Sequence, residues 1–150
     1  MVQRSAQALS ALYETDETAW LDATAELARL GRWDEIDADI LAEFLTDMAK
    51  RDRREVFSRL VVLLSHLLKW DCQADHRSGS WQSTILEQQR ELRQLLESRT
   101  LRNHASAVLA DAYSEARKQA AAETGLLRSH FPEECRWDLD SLFVDLTPEA

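Results

Sequence analysis

The chain has 150 residues, with 27 acidic and 18 basic side chains and a formal net charge of −9. Glycine and proline together number only 5, about 3% where globular chains average about 12%; this excludes sandwich, barrel and propeller folds, which need a turn about every ten residues. A 45% hydrophobic share with 11 aromatic residues excludes wholesale disorder, and the acidic balance disfavours nonspecific binding to phosphate backbones.

Residues 1–14 are weakly patterned and read as a loose lead-in. A single helical domain is expected over residues 15–146, followed by a short tail, residues 147–150. Asp16 is placed to cap a first helix from Glu17 to about Leu30, whose buried stripe is Trp20, Ala23, Leu27 and Leu30. Gly31 stands where a C-terminal glycine would stop it. Asp37 is a second cap, and Ile40, Leu41, Phe44, Leu45 and Met48 repeat on one helical face. The run Lys50-Arg51-Asp52-Arg53-Arg54 reads as a charged break. The next helix, to about Trp70, carries Val56, Leu60, Val61, Leu63, Leu64, Leu67 and Leu68 most of the way round, as a long apolar central helix of a bundle does.

A loop then runs to Gly79. Ser80 can cap a helix from Trp81 to Ser98, and Leu101 through Ala116 mark another, ended by Gly125. Pro132 opens a tail region in which Asp138 can cap a short last helix, Leu139–Val144. Period-two alternation is absent over any useful length. The expected fold is therefore all-α: a single-domain antiparallel bundle of five to six helices with short joints.

Residues 1–13 hold no apolar run typical of a secretory leader, and Leu60–Leu68, interrupted by Ser65 and His66, is too short to span a bilayer. A cytoplasmic protein with reduced thiols and no membrane partner is expected.

Two polar constellations stand out. Arg59, Leu63, His66 and Trp70 share one face of the apolar helix, and Arg and His inside such a helix need partners. Asp39, Glu43 and Asp47 offer carboxylates at a spacing of four. The segment after His66 adds Lys69, Arg77, Trp81 and Glu87. Together Glu43, His66, Lys69, Arg77, Trp81 and Glu87 are the candidate polar pocket between helices. His66 would be its proton carrier and Lys69 and Arg77 its anion holders; a packed structural polar cluster is the simpler reading. Ser78 and Ser80 beside Arg77 could hold an anion at a helix start, although a cap serves as well.

Cys72 and His76 stand at C-x3-H spacing, but C-x-x-C and H-E-x-x-H patterns are absent, so no metal and no cofactor are expected. Cys135 lies in Phe-Pro-Glu-Glu-Cys, an acidic setting that raises a thiol pKa. No nucleophile elbow is present, and no catalytic residue is assigned. Lys50, Arg51, Arg53, Arg54 and Arg59 form a basic stretch for nucleic acid, but Asp52 and Glu55 interleave it and it lacks stacking aromatics.

Several phrases resemble one family in order and spacing. They are Tyr13-Glu14-Thr15-Asp16 with Trp20, Gly31-Arg32-Trp33-Asp34-Glu35-Ile36-Asp37, and Arg59-Leu60 with His66-Leu67-Leu68-Lys69-Trp70. Arg77-Ser78, Ser80-Trp81, Thr84-Ile85 and Glu87-Gln88 follow, then Glu123-Thr124-Gly125 and Phe131-Pro132-Glu133-Glu134-Cys135. The chain resembles domain of unknown function number twenty-nine, small all-helical bacterial proteins, across about Tyr13–Phe143. The resemblance implies a helical fold and a bacterial cytosol and carries no activity, cofactor or catalytic residue with it. The chain departs from the family pattern at Gly79, Ala42 and Ala49. The expected function is a noncatalytic helical interaction or regulatory protein with a protein partner or self-association. Ligand binding or catalysis in a pocket at His66, and nucleic-acid binding through Lys50–Arg59, are the alternatives.

Overall fold

The computed structural model describes residues 2–147, with side chains from residue 8 onward. The chain is all-α. Its helices are α1 (Val2–Thr15), α2 (Glu17–Arg29), α3 (Ala38–Cys72), α4 (Gly79–Leu95) and α5 (Arg99–Thr124), joined by 3-10 turns at Trp33–Glu35 and Ala74–His76 and followed by two more at Arg128–His130 and Ser141–Phe143. Among the described residues there is no strand. The chain divides into two compact units, residues 1–50 and 51–150, and the boundary falls within α3.

In the first unit, residues expected as a loose lead-in form α1. Leu9, Leu12 and Tyr13 stand at i, i+3 and i+4, a short apolar stripe that packs on α2. Tyr13 meets Trp20 edge-on at 4.9 Å, and Trp20, 2% exposed, meets Phe44 at 5.3 Å. This aromatic chain is the core of the unit. The Asp16 carboxylate accepts from the Ala19 N–H, and Asp37 accepts from the Asp39 and Ile40 N–H groups, as capping carboxylates do. At the end of α2, Gly31 adopts φ +70°, its N–H donates to Ala28 O and the Arg32 N–H to Leu27 O. That is the paired bond pattern of a glycine-terminated helix, in a conformation that costs other residues about 1–2 kcal/mol.

The expected break at Lys50–Arg54 does not exist: α3 runs unbroken for 35 residues. Lys and Arg are good helix formers, and without Gly or Pro a charge run gives the helix no reason to stop. The second unit is built on the later part of α3. Val56, Leu60, Leu63, Leu64 and Leu68 are each 0% exposed. Around them lie Ile85 and Leu92 of α4, Ala105, Ala112, Tyr113, Ala116 and Ala120 of α5, and Phe131 and Leu142 from the C-terminal segment.

Two helix starts differ from expectation. Ser78, not Ser80, caps α4: its hydroxyl accepts from the Trp81 N–H and the helix begins at Gly79. Ser98, expected inside that helix, caps α5 by accepting from the Leu101 N–H. Gly125, at φ +73°, ends α5 as expected. The expected last helix over Leu139–Val144 is one 3-10 turn, closed by Asp138 and Ser141, each of whose side chains accepts from the other's backbone N–H. Apart from Thr147, the expected tail lies outside the described residues.

Leu64→Ala is expected to destabilise the protein by about 2–5 kcal/mol in denaturant unfolding, because it opens a cavity in a fully buried site. Ser78→Ala should cost about 1 kcal/mol by loss of the cap, and Ser80→Ala only a few tenths; equal losses would contradict the cap assignment.

Candidate functional site

Four of the candidate polar residues belong to one region of the second unit. His66 and Lys69 are one turn apart on α3, Trp81 lies in the first turn of α4, and Arg77 precedes that helix. Lys69 is 5% exposed, and burying an ammonium is costly unless it is paired. Its partner is Glu123, near the end of α5, with Nζ to Oε2 at 2.5 Å. The Trp81 ring lies on the same ammonium, 5.1 Å from its centroid, which supplies the attraction of a π-face for a cation. Gln119 donates to the other carboxylate oxygen of Glu123 at 3.0 Å.

The electrostatics follow from these contacts. Partial burial works to raise the Glu123 carboxyl, but the hydrogen bonds from Lys69 and Gln119 and the Lys69 charge outweigh it and hold the carboxyl below its ordinary value of 4.5. His66 is half-buried. Burial pushes its imidazole below the ordinary 6.5, and Lys69 adds to that; the Val62 carbonyl and Glu123 act in the opposite direction. His66 Nδ1 lies 2.8 Å from Val62 O. A carbonyl only accepts, so Nδ1 is the donor and the neutral ring carries its proton there. The imidazole is thus turned toward its own helix, and the ammonium is held between a carboxylate and an indole. A groove of about 300 Å³ on the flank of this cluster is lined by Phe57, Val61, Val62 and Gln119 among others.

Arg77, though in the same region, does not join the Lys69–Glu123–Trp81 contacts, and Glu87 and Glu43 lie apart from them. Arg77 donates through Nε to Trp70 O at 2.8 Å, and its guanidinium stacks over the Trp70 ring at 4.7 Å. It therefore satisfies a carbonyl at the end of α3, where the helix leaves acceptors without partners. Glu87 is exposed on α4, and Glu43 is exposed on α3 within the first unit. The Arg59 partners are not the acidic stripe at Asp39, Glu43 and Asp47. Arg59 bonds Glu55 at 2.9 Å and Gln88 at 3.2 Å, and lies 3.9 Å from Glu91.

Two polar residues outside the candidate set take part in this packing. Glu123 completes the Lys69 pair; its only signal was a carboxylate shortly before the terminating glycine of an Ala-rich helix. Gln89, 1% exposed, donates to Leu142 O and Val144 O and so ties the C-terminal segment to α4. Gln82 extends this seam by donating to Leu146 O.

Cys72 and Cys135 are free thiols. Burial is the first cause that pushes each of them up, rather than the acidic neighbours expected for Cys135, whose Sγ donates to Trp137 O. Among the described residues, no three His, Cys, Asp or Glu side chains are grouped to hold a metal ion, and no helix is long and apolar enough to cross a membrane.

Glu123→Gln should cost about 1–3 kcal/mol of stability. The lower end reflects the partial exposure of Glu123 and the upper end the stranding of a buried ammonium. Because the folded state disfavours charged His66, stability should fall as pH drops below about 6.5, and then again below about 4.5 as Glu123 takes up its proton. Unfolding followed across this range should show a smaller second loss in Glu123→Gln than in wild type, the remainder coming from Asp138 and Asp145, which are also held below their ordinary values.

No curated protein and no solved structure matches the chain. A family model does match it, over residues 12–145, nearly the whole length. Its description is Domain of unknown function DUF29, and the chain belongs to that family.

Proposed function

We propose that the chain is a noncatalytic helical interaction protein of the bacterial cytosol that works through surface recognition. The observation that carries this reading is the placement of apolar surface. Leu30 is 57% exposed, Trp33 62% and Leu45 57%, all within the first unit. Exposed tryptophan and leucine lose water when a partner covers them, and aromatic residues are enriched at interfaces. Support also comes from the polar cluster: Lys69, Glu123 and Trp81 satisfy one another, and the His66 Nδ1 proton is committed to a backbone carbonyl.

The alternative of a small-ligand or enzymatic pocket centred on His66 retains one favourable observation, the groove that Val62 and Gln119 help to line beside the cluster. The nucleic-acid alternative through Lys50–Arg59 is weakened by the engagement of Arg59 with Glu55 and Gln88.

Affinity capture from native lysate with a tagged chain, combined with light scattering of the purified protein, tests the interaction reading. A stoichiometric partner or a defined oligomer is expected. A monomer that captures nothing stoichiometric overturns it. If His66→Ala abolished small-molecule binding in a metabolite screen while the fold held, the pocket would replace it.

A further inference from the structure

The charge of the chain is not evenly spread. Residues 1–50 hold 11 acidic and 4 basic side chains, a net of −7, whereas residues 51–150 hold 16 and 14, a net of −2. The first unit has one third of the length and most of the net charge. It also has four of the seven large hydrophobic residues that are exposed among those described: Leu30, Trp33, Leu45 and Met48. Within this unit lies an apolar groove of about 670 Å³, lined chiefly by Leu9 and Leu12 of α1 and by Leu27 and Leu30 at the end of α2. Trp33 is exposed in the 3-10 turn that follows.

The two carboxylates that line the groove, Glu26 and Glu35, are each paired with an arginine, so the negative field comes from the other carboxylates of the unit. Arg32, the basic residue lining the groove, is held by a salt bridge to Glu35 and also faces the charge of Asp34. Arg29, on the last turn of α2, is bound to Glu26 at 2.6 Å. Arg29 and Arg32 are therefore already neutralised, and the unit as a whole carries a surplus of carboxylates. A groove of leucines between two helices accepts the apolar stripe of a third helix. A surrounding negative potential selects one whose polar face is basic. It repels anionic lipid and disfavours a second copy of this same unit, because both surfaces carry −7.

We propose that the α1–α2 groove, with Leu30 at its end and Trp33 exposed in the turn that follows, is a docking site for a cationic amphipathic helix of another protein. This rests on the interaction reading and specifies the chemistry of its partner. Leucines of the incoming helix at i, i+3, i+4 and i+7 occupy the groove, and its lysines or arginines face the surplus carboxylates.

The test is fluorescence anisotropy of the full-length chain with a labelled synthetic helix of leucine and lysine at that spacing, about 18 residues long and so about five turns. Two control peptides are needed: the same composition in scrambled order, and the leucine–glutamate counterpart. The expected result is saturable binding with Kd of tens of micromolar or tighter, weakened at least about tenfold for either control, a difference of about 1.4 kcal/mol. Added salt should weaken it further. Leu30→Asn and Trp33→Ala should each weaken binding about fivefold or more. Leu127→Asn, at a still more exposed leucine of the second unit, should leave it unchanged. Both positions in the first unit are on the surface, so circular dichroism should show the fold intact.

Binding of the scrambled peptide as tightly as the ordered one, wild-type affinity in Leu30→Asn, or no binding at about 1 mM would overturn the proposal. So would a dimer that Leu30→Asn dissociates while the peptide fails to bind, since the occupant would then be a second copy. A stoichiometric partner captured by a chain that ignores the cationic peptide would leave the interaction reading standing and remove this one.

Discussion

The second unit depends on covering a helix segment that leaves little of its surface to water. From Val56 to Lys69, α3 carries eight buried residues in fourteen positions, and no single neighbour can cover so wide an apolar face. Helices α4 and α5 and the C-terminal segment each take a share. Buried alanines are the share of α5, and Phe131 and Leu142 bring the irregular tail region into the same core. A segment with so few regular backbone bonds stays in place because Gln89 and Gln82 of α4 bond its carbonyls and Tyr113 of α5 donates to Pro132 O.

The same constraint explains the polar cluster. A lysine on the buried face cannot reach water, so its charge must be met inside the fold, and Glu123 and Trp81 meet it from two different helices. Such a pair adds little net stability over an apolar substitute, but it is costly to break and it favours one packing arrangement over others. Of the candidate pocket residues, Lys69 and Trp81 join α3 and α4 through their contact, and Glu123 adds α5. Arg77 closes the end of α3 rather than facing an open site.

The first unit is organised in another way. Its core is a short chain of aromatic rings, Tyr13, Trp20 and Phe44, with glycine and aspartate setting the helix ends. Its surface combines surplus carboxylates with exposed leucine and tryptophan. Net charge of one sign opposes association of such units through their apolar patches. This combination, rather than any reactive group, distinguishes it.

By itself the sequence determined what rests on local chemistry. The scarcity of glycine and proline, the 3.6-residue periodicity, the caps at Asp16 and Asp37 and the stops at Gly31 and Gly125 act over a few residues, and the structure shows each of them. Where two local readings competed, the sequence could not choose. A charge run can end a helix or continue it, and Ser78 and Ser80 are both good caps; continuous backbone bonding through Lys50–Arg54 and the register of α4 on its neighbours decided these cases. The short stripe of α1 was legible in Leu9, Leu12 and Tyr13 but too brief to stand out without α2 beside it. The site partners lay beyond sequence reasoning for a different reason. Lys69 and Glu123 are 54 positions apart, and only tertiary packing determines which of 27 acidic side chains meets a buried ammonium, because Coulomb attraction and desolvation depend on distance in space and not along the chain.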